Sequence, residues 1–271
     1  MRRTVLALGV LVAVVFAAGC DSPPQTPPQP TAASGGLSQI RERGTIRVCS
    51  TGDYRPFTYR DAQGNWSGLD IDMAGDMAKR LGVGLELVPT TWATLVDDLS
   101  AKCDVAMGGI SITLKRAERA SYSAPYVRDG KAAIVRCADA ARFRTLADID
   151  RPGVRVVVNP GGTNEEFAKG QLHQAQVIDY PDNNTIFGQI IDGKADVMVT
   201  DTSEIRWQTK QNPQLCGVST DQPFTFSQKA YLMSLTAPDL QQWVDQWLNI
   251  AQHDGTYPAL SEKYFGVVLG P

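Results

Sequence analysis

Histidine is almost absent: the 271 residues include two, His173 and His253, far apart in the chain. That scarcity argues against a histidine-rich metal site and against a Ser–His–Asp or Cys–His triad. Excess positive charge is missing too. The 26 Lys and Arg residues face 29 Asp and Glu, a net charge of −3, which excludes a general nucleic-acid binder. No apolar run reaches the ~20 residues that a bilayer-spanning helix needs. None of the cysteine spacings is CxxC, so zinc is a poor reading as well. No cofactor and no metal are expected.

What is there is ordinary globular material, 43% hydrophobic and 20% charged. At ~150 residues per domain the length suggests one or two domains. Residues 1–19 read as a targeting segment. Arg2 and Arg3 precede an apolar run from Val5 to Phe16, and the small residues Ala17, Ala18 and Gly19 follow. That order is a secretory signal. Its end resembles a bacterial lipobox, with Ala17 where leucine is usual, so Cys20 is the expected lipidation site. Residues 20–37 form a Pro-rich tether: Asp21 to Gly36 holds five prolines, two glycines and no large apolar residue, and cannot build a core. The expected location is exported, lipid-anchored at the outer face of the cytoplasmic membrane or in the periplasm.

From about residue 38 the chain alternates strand and helix patterns. Thr45–Ser50, Leu85–Val88 and Asp104–Met107 read as strands. Leu69–Leu81 has helical spacing, with Asp70 expected as its cap and Gly82 as its end. The middle repeats this logic: strands at 154–158, 177–180 and 197–200, helices at 164–170 and 185–192. Leu99-Ser-Ala-Lys-Cys-Asp-Val105 parallels Ile191-Asp-Gly-Lys-Ala-Asp-Val197, as expected for two lobes built alike. Lys131–Cys137 and Lys229–Leu235 read as longer strands bracketing the middle lobe, with hinges near the two lysines. A ligand cleft then lies between the lobes. Exported proteins permit disulfides. The four cysteines after Cys20 allow three pairings. Cys137–Cys216 is favoured because both flank predicted strands of the central segment; Cys49 and Cys103 are expected as buried free thiols.

Three segments narrow the reading: Gly108-Gly-Ile-Ser-Ile-Thr-Leu-Lys-Arg116, Ser123-Ala-Pro-Tyr126 and Thr51-Gly-Asp-Tyr-Arg-Pro-Phe57. With GLDIDMAGDMAKRLG they resemble the type II periplasmic solute-binding proteins of the polar amino-acid class. Asn159-Pro-Gly-Gly-Thr-Asn-Glu165, Pro181-Asp-Asn and Thr200-Asp-Thr-Ser-Glu204 are similar to the cyclohexadienyl dehydratases within that group. The resemblance implies an α/β, two-lobed fold joined by two hinge strands, with residues 38–130 plus 226–271 as one lobe and 131–225 as the other. It implies prephenate and arogenate as substrates, dehydrated with loss of carbon dioxide. Neither nucleophile nor metal is needed for that, only a proton donor and a grip on the anion.

Residue by residue, the resemblance implies Glu204 as the acid. A first-turn glutamate also suits a helix dipole. Arg116 would hold the side-chain carboxylate by a two-pronged pair, with Ser111 and the Gly109 backbone adding hydrogen bonds. Thr163 would offer N–H groups at a helix start. Asp201 matches a position that holds an α-ammonium, and would favour arogenate. Tyr54 and Trp92 would form flat walls, and Lys131, Asn159 and Asn164 would surround the ring carboxylate and hydroxyl. The competing expectation is a lipid-anchored amino-acid receptor of an ABC importer without catalysis; only then would a permease be a partner.

Overall fold

The computed structural model describes residues 36–271. The expected leader, Cys20 and most of the tether lie outside these residues. The described residues form one compact unit, built on two five-stranded mixed sheets.

In the first sheet the strand order is Gly84–Pro89, Thr45–Ser50, Val105–Ala106, Leu232–Met233, Ser121–Tyr122. The first three are parallel, with Thr45 opposite Gly84 and Val48 opposite Val105; Leu232–Met233 returns antiparallel. The β-branched run Thr45–Ser50 is buried at alternate positions and then throughout, as a central strand covered on both faces must be. Leu69–Leu81 packs Leu69, Met73, Met77 and Ala78 into this lobe's core. It ends on Gly82 in the left-handed region at φ 71°. The helix Pro238–His253 adds Leu240, Val244, Trp247, Leu248 and Ala251 to the same core.

The second sheet runs Gln176–Asp179, Arg155–Val158, Val197–Asp201, Lys131–Arg136, Leu215–Val218. Arg155–Val158 lies parallel to Gln176–Asp179 and Val197–Asp201; Lys131–Arg136 is antiparallel to the last, with Lys131 opposite Asp201. Two chain segments connect the lobes. Val127–Asp129 and Ser227–Lys229 pair antiparallel as a two-stranded hinge.

Three expectations change. Cys49 and Cys103 are not free: they form a disulfide beside Cys137–Cys216. Cys49 sits in a central strand and Cys103 just ahead of the neighbouring parallel strand, so the sheet register itself brings their Cα atoms to 5.7 Å. Asp70 does not cap its helix; Gly68 holds that position, and the Asp70 carboxylate turns inward. The run 229–235 is two strands, and Lys229 ends the second hinge strand rather than starting it.

Candidate active site

Between the sheets lies a tight cavity of about 20 Å³. Tyr54, Trp92, Gly109, Ser111 and Arg116 line it from the first lobe; Asn159, Gly162, Thr163, Asn164, Asn183 and Asp201 line it from the second. Glu204 and Lys131 sit one layer behind this wall, both buried.

The lobes touch across the cleft. The Tyr54 hydroxyl donates to Asp201 Oδ2 at 2.5 Å, and Asn183 Nδ2 donates to the Asp53 carbonyl at 2.9 Å. At Gly161, φ is 88° and an added Cβ would lie 2.8 Å from the Ala93 nitrogen. Only glycine lets the turn approach so closely. Trp92 is oriented by its indole N–H, which donates to Asp53 Oδ1 at 3.1 Å, and it stands edge-on to Tyr54.

Gly109 reaches the cavity differently from expectation. Its N–H donates to Asp70 Oδ2 at 2.6 Å and is not available to a ligand. The Tyr126 and Tyr231 hydroxyls donate to the same carboxylate. Asp70 is fully buried, and desolvation raises its pKa to about 6 against these hydrogen bonds. Arg116 is held by Nη1 donating to the Ser111 carbonyl at 3.0 Å, and its guanidinium lies 6.0 Å from the Trp92 ring centre. The helix Thr163–Gln171 starts at the cavity wall, as the Gly-Gly-Thr turn suggested.

Asp201 is placed against its expected role. Its Oδ1 lies 2.8 Å from Lys131 Nζ, and its Oδ2 is in contact with Lys229 Nζ and the Tyr54 hydroxyl. Its Oδ1 makes no hydrogen bond, but with two ammonium groups beside it and a phenol on Oδ2 the carboxylate's charge is already balanced and an α-ammonium is not needed there. Burial would raise its pKa, but the lysines hold it well below the usual carboxylate range. The same burial lowers Lys131, with Asp201 opposing. Lys229 is wholly buried; Asp129 Oδ2 at 3.8 Å and Ser111 Oγ at 2.9 Å complete its surroundings. A buried ammonium needs such partners to be tolerated at all.

Glu204 lies in the first turn of the helix Thr202–Gln211, directly after the strand that ends at Asp201. Asp201 is the cap residue by position, yet its side chain makes no cap bond. Asp129 in the hinge does that work from outside, accepting from Thr202 Oγ1 at 2.7 Å, Ser203 N at 3.2 Å and Ser203 Oγ. Desolvation raises Glu204 to about 8, with the Asp201 charge adding to it and the Thr200 hydrogen bond opposing. A chain of bonds leads to it. Lys131 Nζ donates to Asn164 Oδ1, Asn164 Nδ2 donates to Thr200 Oγ1 at 2.9 Å, and Thr200 Oγ1 donates to Glu204 Oε2. Among the described residues Oε1 has no hydrogen-bond partner. This is a carboxylic acid held protonated at neutral pH with one free oxygen.

Asn183, Thr200 and Asp129 have no site role in the sequence reading, and Lys229 enters it only as a hinge marker. Lys229 carried one usable signal, a lysine opening the apolar run KAYLMSL. Asn183 and Thr200 lay inside quoted motifs without a role.

Residues 46–267 match the sequence profile of the bacterial extracellular solute-binding proteins, family 3. The chain belongs to this family. Within it, the chain is 50% identical over 220 residues to a cyclohexadienyl dehydratase of Pseudomonas aeruginosa, covering 81% of this chain and 82% of that protein. A solved ancestral cyclohexadienyl dehydratase is 48% identical, with a TM-score of 0.55, and the match covers 87% of this chain and 98% of that one. A solved ancestral amino acid-binding protein, described as a precursor of cyclohexadienyl dehydratase, is 36% identical with a TM-score of 0.78, covering 84% and 99%. Family membership and these neighbours agree with the two-lobed α/β fold. No helix among the described residues is long and apolar enough to cross a membrane.

Proposed function

We propose that this solute-binding fold is an extracytoplasmic cyclohexadienyl dehydratase, turning prephenate into phenylpyruvate and arogenate into phenylalanine. The observation that carries the reading is Glu204: a buried carboxyl whose pKa of about 8 keeps it protonated at neutral pH, in a chain half identical to a dehydratase.

The chemistry is a single aromatisation. Glu204 gives its proton to the departing ring hydroxyl, which leaves as water. The bond from the ring to its carboxylate breaks, carbon dioxide leaves, and the electron pair completes the aromatic ring. Glu204 is left as carboxylate and takes a proton back from solvent. One positioned acid contributes ~10²–10⁴-fold. Glu204 lies behind the cavity lining, linked through Thr200 to Asn164 on the wall, so the substrate enters with the lobes apart and the cleft closes over it. Arg116 binds the side-chain carboxylate. Ser111, Thr163, Asn159 and Asn164 supply hydrogen bonds, and Tyr54 and Trp92 flank the ring.

The test is incubation of the purified chain with prephenate, followed by phenylpyruvate absorbance. Product formed in proportion to enzyme supports the reading; unchanged prephenate held in a stable complex leaves the importer receptor standing. Anchoring through Cys20 belongs to the same proposal. A lipid-modified Cys20 at the mature N-terminus by mass spectrometry supports it, and an unmodified N-terminus elsewhere contradicts it.

A further inference from the structure

The hydrogen-bond directions around the two buried lysines settle what the cavity offers a ligand. An ammonium only donates. Lys131 Nζ donates to Thr163 Oγ1 at 3.0 Å, and Lys229 Nζ donates to Ser111 Oγ at 2.9 Å. Both hydroxyls therefore accept from behind and keep their own hydrogens for the cavity that they line. Arg116 adds a guanidinium. The wall is rich in donors. Acceptors are scarce: Asp201, the one carboxylate on the wall, has Lys229 and Tyr54 on Oδ2 and Lys131 Nζ 2.8 Å from Oδ1, an ion pair without a hydrogen bond, and Asn183 Oδ1 is buried with no partner. A carboxylate or a keto oxygen fits such a wall. An amine brings donors and finds the amide oxygens of Asn159 and Asn183 in place of a free carboxylate.

We propose that Lys229 is a specificity-determining residue, which by capping Asp201 prevents the cavity from selecting an amine, so that the site reads carboxylates and ring in place of an amino group. The proposal rests on the dehydratase reading for its substrates. Prephenate and arogenate differ only at the keto or amino carbon, so their ratio isolates this effect from any general loosening of the site. Lys229 is suited to the role because it ends a hinge strand and contacts both lobes, Ser111 and Tyr54 on one side and Asp201 on the other.

The experiment is the ratio of kcat/KM for arogenate to that for prephenate in wild type and in Lys229→Met, with binding of L-phenylalanine and phenylpyruvate by calorimetry in parallel. Uncapping a buried carboxylate for an ammonium corresponds to a charge-assisted hydrogen bond, so the ratio should rise about tenfold or more. Removing one positive charge would by itself weaken the more anionic substrate, so a second variant separates the causes. Tyr54→Phe removes a donor from the same Asp201 oxygen without changing any charge, so there the ratio should also rise, less far. A ratio raised in Lys229→Met but not in Tyr54→Phe assigns the effect to net charge and overturns the proposal, as does an unchanged ratio in Lys229→Met. Should Lys229→Met not fold, Tyr54→Phe decides alone, and no movement there overturns the proposal. If wild type turns over neither substrate, the dehydratase reading fails, and the calorimetric ratio of L-phenylalanine to phenylpyruvate decides the present proposal alone.

Discussion

At the residue, the account turns on one proton. Glu204 is held at about 8 by desolvation, with Asp201 pushing the same way. Its acid form is required, so kcat should stay level at low pH and fall as pH rises through about 8. A pH profile of kcat checks this; a profile rising across that range would mean that Glu204 acts as a base. Glu204 was legible in the sequence only through its neighbours in Thr200-Asp-Thr-Ser-Glu204, since a first-turn glutamate alone is a common helix feature. What surrounds it was less so. Asp201 was expected to be open to an ammonium, because the lysines that occupy it come from positions 131 and 229, with no local pattern tying them to it. Gly109 was expected to donate, but its N–H is taken by Asp70, a carboxylate 39 residues away. Partners distant in sequence decide which polar groups remain free, and periodicity does not report them.

At the element, the strand Val197–Asp201 and the helix Thr202–Gln211 make one unit that delivers Asp201 and Glu204 together. Their existence was readable from a short β-branched run and the polar turn after it. The cap was not: it comes from Asp129 in the hinge. The same limit applies to Cys49 and Cys103, which pair because two parallel strands lie side by side. This bond closes a separation of 54 residues in the first lobe, and crosslinks of this kind contribute about 2–4 kcal/mol. Replacing both cysteines by alanine should lower the denaturant midpoint, steepen the slope because the uncrosslinked denatured chain exposes more surface, and leave kcat near wild type, since neither sulfur lines the cavity. A midpoint equal to wild type would show the bond to be energetically silent.

Over the whole molecule, burying protonated carboxyls makes stability depend on pH. In the folded chain Glu204 keeps its proton up to about pH 8, whereas the ordinary value in an unfolded chain is 4.5. Between those limits the folded state binds more protons, so stability falls as pH rises. The full effect of Glu204 is on the order of 5 kcal/mol. Asp70, raised to about 6 by burial, acts in the same direction over the lower part of the window. Asp201, held low by its lysines, acts only in more acidic solution. Chemical denaturation from pH 5 to 8 should show this decline, and Glu204→Gln should flatten it. A decline equally steep in the variant would place its origin elsewhere. The two-lobed plan was readable from the repeated strand–helix logic and the bracketing strands. The closed contact of Gly161 on Ala93 was not, because nothing in a Gly-Gly-Thr turn names its partner.

The central claim is that Glu204 donates the proton that starts the aromatisation. Its most direct test is a single turnover with protein in excess over prephenate, quenched and analysed by mass spectrometry, for wild type and Glu204→Gln side by side. The account predicts phenylpyruvate from wild type, and intact, protein-bound prephenate from the variant, whose amide keeps the shape without an acid proton. Phenylpyruvate formed by the variant within a few-fold of the wild-type rate would contradict it.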